Sequence, residues 1–165
     1  MSHLFPEGES GTYVPGVQLL SGDKKLEKRL GKAWGDVKGF LEHIYLPPGK
    51  MAYEKETLVW HSYQEPEHRG LRVVYSGLPV CRWKYKVQPS PQLALALRPG
   101  DYGNVLSFRR EEQQAIRYLK GETLQTGDSL EGNVLVCVDG YGLGWAQGNG
   151  RGMLKNKYHP GWRYQ

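Results

Sequence analysis

The chain has 165 residues, 39% of them hydrophobic, enough for one ordinary domain or two small ones with packed cores. Its 22 glycines, 10 prolines and 11 tyrosines exclude an all-helical protein and favour short strands joined by tight turns, giving a mixed α+β chain rich in sheet. A formal charge of +5 favours a polyanionic partner, and the charge is uneven: residues 141–165 carry Arg151, Lys155, Lys157 and Arg163 without an acid, whereas residues 101–140 are net −3.

The first residues, MSHLFPEGES, lack a basic segment followed by an apolar core, and no run approaches the roughly 18 apolar residues of a membrane helix. A soluble, cytoplasmic protein with no membrane partner is expected. Cys81 and Cys137 each sit inside an apolar strand pattern, which indicates reduced core thiols.

In chain order, residues 1–22 hold four glycines and two prolines and form a loop-rich lead-in. A charged helix follows over 23–30, with Leu26, Leu30 and Trp34 at helical spacing and Gly31 as its stop. A second short helix spans 36–45 and ends before Pro47-Pro48-Gly49. Three strand-like runs come next, at 57–62, 71–75 and 80–87. Alternation in the third puts Cys81, Trp83, Tyr85 and Val87 on an inward aromatic face and Arg82, Lys84 and Lys86 on an outward basic stripe. That stripe is either a solvated edge protected by lysines or a nucleic-acid contact, which Arg69 and Arg72 could extend. The LALAL run at 93–97 fits a helical turn or a strand equally.

Residues 111–120 form the best-defined helix, with Ala115, Ile116 and Leu119 on one face and Gly121 as the C-terminal cap. In VLVCVDGYGLGW, residues 134–145, Asp139-Gly140 predicts a two-residue type I′ hairpin. Uninterrupted pairing from that turn sets Val138 opposite Tyr141, Val136 opposite Leu143 and Val134 opposite Trp145. Gly142 and Gly144 then fall together on the other face, a flat patch for a packed helix, the one at 111–120 being a candidate, or for a ligand. The G-x-G is no dinucleotide loop, because no helix pattern follows it.

From Gln147 to Gly152 a flexible loop carrying Arg151 leads into LKNKYHPGWRY, where Lys155, Lys157 and Arg163 interleave with Tyr158, Trp162 and Tyr164. Charges for phosphate and flat rings for unstacked bases are what irregular RNA requires, although a strand with core aromatics and solvated lysines has the same composition.

GYGLGWAQ and LKNKYHPGWR resemble the end of the Sun-type RNA cytosine-5 methyltransferases, where a small PUA-like RNA-binding domain closes the chain. Upstream, GLRVVYSGLPVCRWKYKVQPSPQLALAL resembles the small connecting domain of bacterial ribosomal-RNA members, and IRYLKGETL fits as well. The resemblance covers about residues 50–165 and implies a segment at 1–45, a connecting α+β domain at 46–100 and a PUA-like β-barrel domain with one main helix at 104–165. It carries over Trp145, Lys155, Asn156, Tyr158 and Arg163, with Lys155 and Arg163 as phosphate contacts and Tyr158 as a stacking or structural ring. Lys157, Arg151, Arg82, Lys84 and Lys86 complete the expected RNA-binding set.

Two departures stand out: Gln147 replaces a usual lysine, and His159 stands where a proline usually follows the tyrosine. Such enzymes also need an S-adenosylmethionine-binding domain and two catalytic cysteines, and neither motif occurs here. The expectation is therefore an RNA-binding module for ribosomal RNA with no catalytic residues, metal or cofactor, either a standalone relative of the tail or a piece of a longer enzyme. The alternative is a protein-docking module that meets a separately encoded methyltransferase domain through the glycine-flattened face. The five histidines show no metal-ligand spacing, and the pairs Glu54/Glu56 and Glu65/Glu67 fit solvated surface better than acid–base catalysis.

Overall fold

A computed structural model describes residues 24–47, 49–62 and 77–165. The lead-in at 1–22, the strand-like run at 71–75, and His3, Glu65, Glu67, His68, Arg69 and Arg72 lie outside the described residues. The chain divides between Leu93 and Ala94 into two compact units.

In the first unit, α1 (Lys24–Leu30) passes through a 3-10 turn at Gly31–Ala33 into α2 (Trp34–Leu41), slightly ahead of the predicted second helix. Gly31 has φ +53°, so it breaks the first helix as expected. A four-stranded antiparallel sheet follows in the order β1 (Gly49–Glu54), β2 (Thr57–Ser62), β3 (Leu78–Lys84), β4 (Lys86–Pro89). Helix α1 packs against β1 and α2 against β4. Leu26, Val37, Phe40, Leu41, Leu58, Val59, Val80 and Cys81 are buried in this unit.

Two features of this sheet depart from the sequence reading. Strand β1 was not anticipated, because Met51 is its one buried residue and its turn, Lys55-Glu56, takes positive φ at both positions without glycine, asparagine or aspartate. The continuous strand expected at 80–87 is instead a hairpin reversing at Tyr85, with Lys84 paired to Lys86, Trp83 to Val87 and Arg82 to Gln88. Tyr85 therefore leaves the inward face and stands 87% exposed. Because cross-strand partners share a face, Arg82, Lys84 and Lys86 still lie together, now spread over two strands, and all three are exposed.

The LALAL run resolves as a helix, α3 (Pro91–Ala96), whose N-terminus is fixed by the Ser90 hydroxyl accepting from the Leu93 N–H at 3.0 Å.

The second unit contains a five-stranded sheet in the order β5-β7-β8-β9-β6, formed by β5 (Val105–Phe108), β6 (Leu124–Gln125), β7 (Glu131–Val138), β8 (Tyr141–Asn149) and β9 (Met153–Asn156). Strand β5 is parallel to β7, and the other pairings are antiparallel. Helix α4 (Gln113–Leu119) ends in a Schellman motif: Gly121, at φ +82°, donates to the Tyr118 carbonyl and Glu122 to that of Arg117. The core lies beneath α4 and joins Tyr118, Leu124, Val134, Val136, Ala146 and Leu154, with Leu106, Phe108, Leu130, Leu143 and Tyr158 around it. The other face of β7 and β8 is also covered, since Leu135, Cys137 and Trp145 are buried and Tyr102 meets Trp145 edge-on at 5.1 Å. Both units are α+β and sheet-rich, and the second has the one-helix half-barrel expected of a PUA-like domain.

The Asp139-Gly140 turn forms as predicted, with φ +51° and +82°. The register beyond it differs. A bulge gives β8 one extra residue, Leu143, so Cys137 pairs with Gly142 but Val136 pairs with Gly144 and Leu135 with Trp145. The two glycines consequently lie on opposite faces of the ribbon. A Cβ at Gly142 would strike the Ala94 carbonyl oxygen and sit 2.6 Å from that of Leu97, at the end of α3. One at Gly144 would strike the Tyr118 hydroxyl and sit 2.9 Å from the Tyr158 ring. Close packing explains both glycines, and each is covered by this unit's own residues, which leaves no flat patch there for a docking protein.

Candidate nucleic-acid interface

Strand β9 sorts the closing segment by alternation. Leu154 and Asn156 are buried and point toward α4, so Met153, Lys155 and Lys157 leave the opposite side and are exposed. Lys155 pairs with Gln147 across the sheet, and the Lys157 N–H donates to the Trp145 carbonyl at 3.1 Å. The two ammonium groups thus share a face at the end of β9.

Two members of the expected set are corrected. Trp145 is 3% exposed and held by Tyr102, so it is a core ring and cannot stack on a base. Asn156 is 8% exposed: its amide nitrogen donates to the Tyr118 and Glu122 carbonyls at 2.8 and 2.9 Å, and its oxygen accepts from the Tyr158 N–H at 2.8 Å. Its side chain fastens the tail to the end of α4 and has nothing left for RNA.

Tyr158 follows on the α4 side, its ring 5.2 Å from Tyr118, lying over Gly144 and half-buried. Burial pushes its phenol above the ordinary tyrosine range, and that of Tyr118 much further. Trp162 sits 6.2 Å from Tyr158 and 4.9 Å from His159, and is 40% exposed. The turn at Pro160–Trp162 is closed by the Gly161 N–H donating to His159 Nδ1 at 3.1 Å, so the displaced proline is absorbed into a 3-10 turn. Arg163 crosses Gly121, where a Cβ would lie 2.5 Å from its Nε, while Tyr164 donates to the Leu119 carbonyl and leaves its ring 70% exposed.

The expected RNA-binding residues therefore form groups on either side of β9 rather than one continuous face. Lys155 and Lys157 project from one side, and Arg163, Trp162 and Tyr164 gather at the end of α4 on the other. Arg151 is exposed in the loop between β8 and β9, where Gly150 and Gly152 take positive φ and Asn149 Oδ1 accepts from the Arg151 and Met153 N–H groups. Among the described residues, Arg151, Lys155 and Arg163 have no ion-pair partner. In the first unit, Arg82 donates through Nε to Thr57 Oγ1 at 3.0 Å, and Lys84 and Lys86 extend into solvent.

Burial raises the Cys81 and Cys137 thiols to about 12, with Asp101 adding to the effect at Cys137, so neither supplies a thiolate nucleophile near neutral pH. No group of three or more His, Cys, Asp and Glu residues able to hold a metal occurs among the described residues, and none of their helices is long and apolar enough to cross a membrane.

A half-barrel closed by one capped helix, with a cationic, aromatic terminal segment, gives the second unit the form of a PUA-like domain. Residues 105–164 match the family model of the methyltransferase RsmF PUA domain, so this region is similar to that domain. Comparison with curated proteins finds no match.

Proposed function

We propose that the chain is a non-catalytic module that binds ribosomal RNA and supports substrate recognition by an S-adenosylmethionine-dependent RNA cytosine-5 methyltransferase. One observation carries the reading: all four cations of the acid-free closing segment, Arg151, Lys155, Lys157 and Arg163, reach solvent, and the exposed rings of Trp162 and Tyr164 stand beside Arg163. Exposed charges supply phosphate contacts and half-open rings supply stacking surfaces for unpaired bases. The match to the RsmF PUA domain supports the same reading.

RNA crossing the end of β9 would meet the lysine pair on one side of the strand and the Arg163 group on the other. Filter binding to ribosomal RNA tests this with Lys155→Ala/Lys157→Ala and Lys155→Ala/Arg163→Ala. Both variants should retain less RNA than the parent, and the parent's retention should fall steeply with salt. Equal retention by parent and both variants would remove the tail from the interface.

A further inference from the structure

The tip of the β3–β4 hairpin combines three features that its own fold does not require. Tyr85 is the single residue between the two strands, is 87% exposed and takes φ +65°, a left-handed conformation that a bulky side chain resists. Lys84 and Lys86 are direct cross-strand partners, so two ammonium groups face each other where an opposite charge would stabilise the ribbon. Among the described residues neither lysine has an ion-pair partner.

The base of the same hairpin is firmly held. Trp83 donates through Nε1 to Asp36 Oδ2 at 2.9 Å, Arg82 through Nε to Thr57 Oγ1 at 3.0 Å, and Ser90 through its hydroxyl to the Pro79 carbonyl. Val80, Cys81 and Val87 are buried beneath it. A rigid support thus presents a strained aromatic ring flanked by paired cations. Glycine or asparagine would remove the strain, and an acid in place of either lysine would remove the repulsion.

We infer that this tip is a second nucleic-acid contact, in which the Tyr85 ring stacks on an unpaired base while Lys84 and Lys86 hold the phosphates on either side. The inference rests on reading the chain as an RNA-binding module and adds a site in the unit that the PUA-domain match does not cover. A lone ring at a hairpin apex has no access between the stacked pairs of a regular duplex, so the partner is single-stranded or bulged RNA.

Tyr85→Gly and Tyr85→Trp test it on the full chain. The probes are a single-stranded RNA of about a dozen nucleotides with a central 2-aminopurine and a fully paired hairpin of equal length. Parent protein should quench 2-aminopurine on binding the single strand. Tyr85→Gly should bind that strand about fivefold more weakly or worse, lose the quench and melt no lower than the parent, because glycine accepts the turn. Tyr85→Trp should restore both binding and quench, and affinity for the paired hairpin should change little across the series. Parent-like binding and quenching by Tyr85→Gly would overturn the inference. Running Lys155→Ala/Arg163→Ala alongside separates the two readings: if it alone weakens binding, only the tip site fails, whereas a parent chain that binds neither probe refutes both.

Discussion

Gly144→Ala tests the packing of the second unit most directly. The added methyl would overlap the Tyr118 hydroxyl, which donates to the Trp145 carbonyl at 3.0 Å, and would crowd Tyr158 at 2.9 Å. Tyr118 is fully buried, so its ring can yield only by giving up that bond. The Trp145 carbonyl would keep its bond from the Lys157 N–H, but the phenol hydroxyl would be stranded, at a cost of about 1–3 kcal/mol. Overpacking adds about 1–3 kcal/mol. Replacing glycine in a strand returns about 0.5–1 kcal/mol. The net loss is about 1–5 kcal/mol, and at roughly 4 °C or more per kcal/mol for a unit of this size the melting midpoint should drop by about 4 °C or more. Calorimetry following the C-terminal transition reads this. Tyr118→Phe alone should cost about 1 kcal/mol. Combined with Gly144→Ala it opens space for the methyl, so the double variant should lose less than the two singles together, by about 1–2 kcal/mol. An unchanged midpoint for Gly144→Ala, or strict additivity in the cycle, would refute this account of the glycine.

Asn156→Ala removes three hydrogen bonds and leaves two carbonyls at the end of α4 without their amide donor, so it should destabilise the unit by about 2–4 kcal/mol in a urea titration while leaving the RNA affinity of the folded fraction unchanged. Lys155→Ala/Lys157→Ala should flatten the dependence of log affinity on log salt by about 1–2 in slope, measured by filter binding across a salt series, if both ammonium groups touch phosphate. The buried thiols predict an alkaline limit. Cys81 and Cys137 titrate near 9 when unfolded and at about 12 when folded, so the folded state holds more protons between those values, and stability present below pH 9 is lost as pH rises toward 12. Melting midpoints should therefore decline from pH 9 to 11, and both thiols should resist iodoacetamide at pH 8 until denaturant is added.

Much of the second unit was legible because its signals are local and unambiguous. Asp139-Gly140 dictated a turn with two positive φ angles and Gly121 a helix cap, whereas the expected inward face of α4, Ala115, Ile116 and Leu119, held only in part: Tyr118 takes the core position beside Ala115 and Ile116 stands 47% exposed. The extra residue at Leu143 left no mark, because a bulge in an apolar run reads as continued alternation, and its omission put Gly142 and Gly144 on one face instead of two. Strand β5 escaped notice since four residues carry no period and its parallel partner lies some thirty positions away. Turns at Lys55-Glu56 and Tyr85 lack the residues that usually announce them, so β1 was missed and one strand was read where two exist. In the candidate interface, the cations were expected at the surface from composition alone, and their alternation with the buried Leu154 and Asn156 is a finding of the structure. The burial of Trp145 and Asn156 was not expected, because an aromatic ring or an amide serves a core and a ligand surface equally well on paper.

Strand β9 has a further consequence for how this tail can change. Over residues 154–157 the odd-numbered positions, Lys155 and Lys157, carry the charges and the even-numbered positions the anchors, a division of labour with a period of two. Single substitutions can tune either set without disturbing the other, but inserting or deleting one residue would exchange them, sending ammonium groups beneath α4 and turning Leu154 and the Asn156 clamp outward. Length in this stretch is therefore held more tightly than composition.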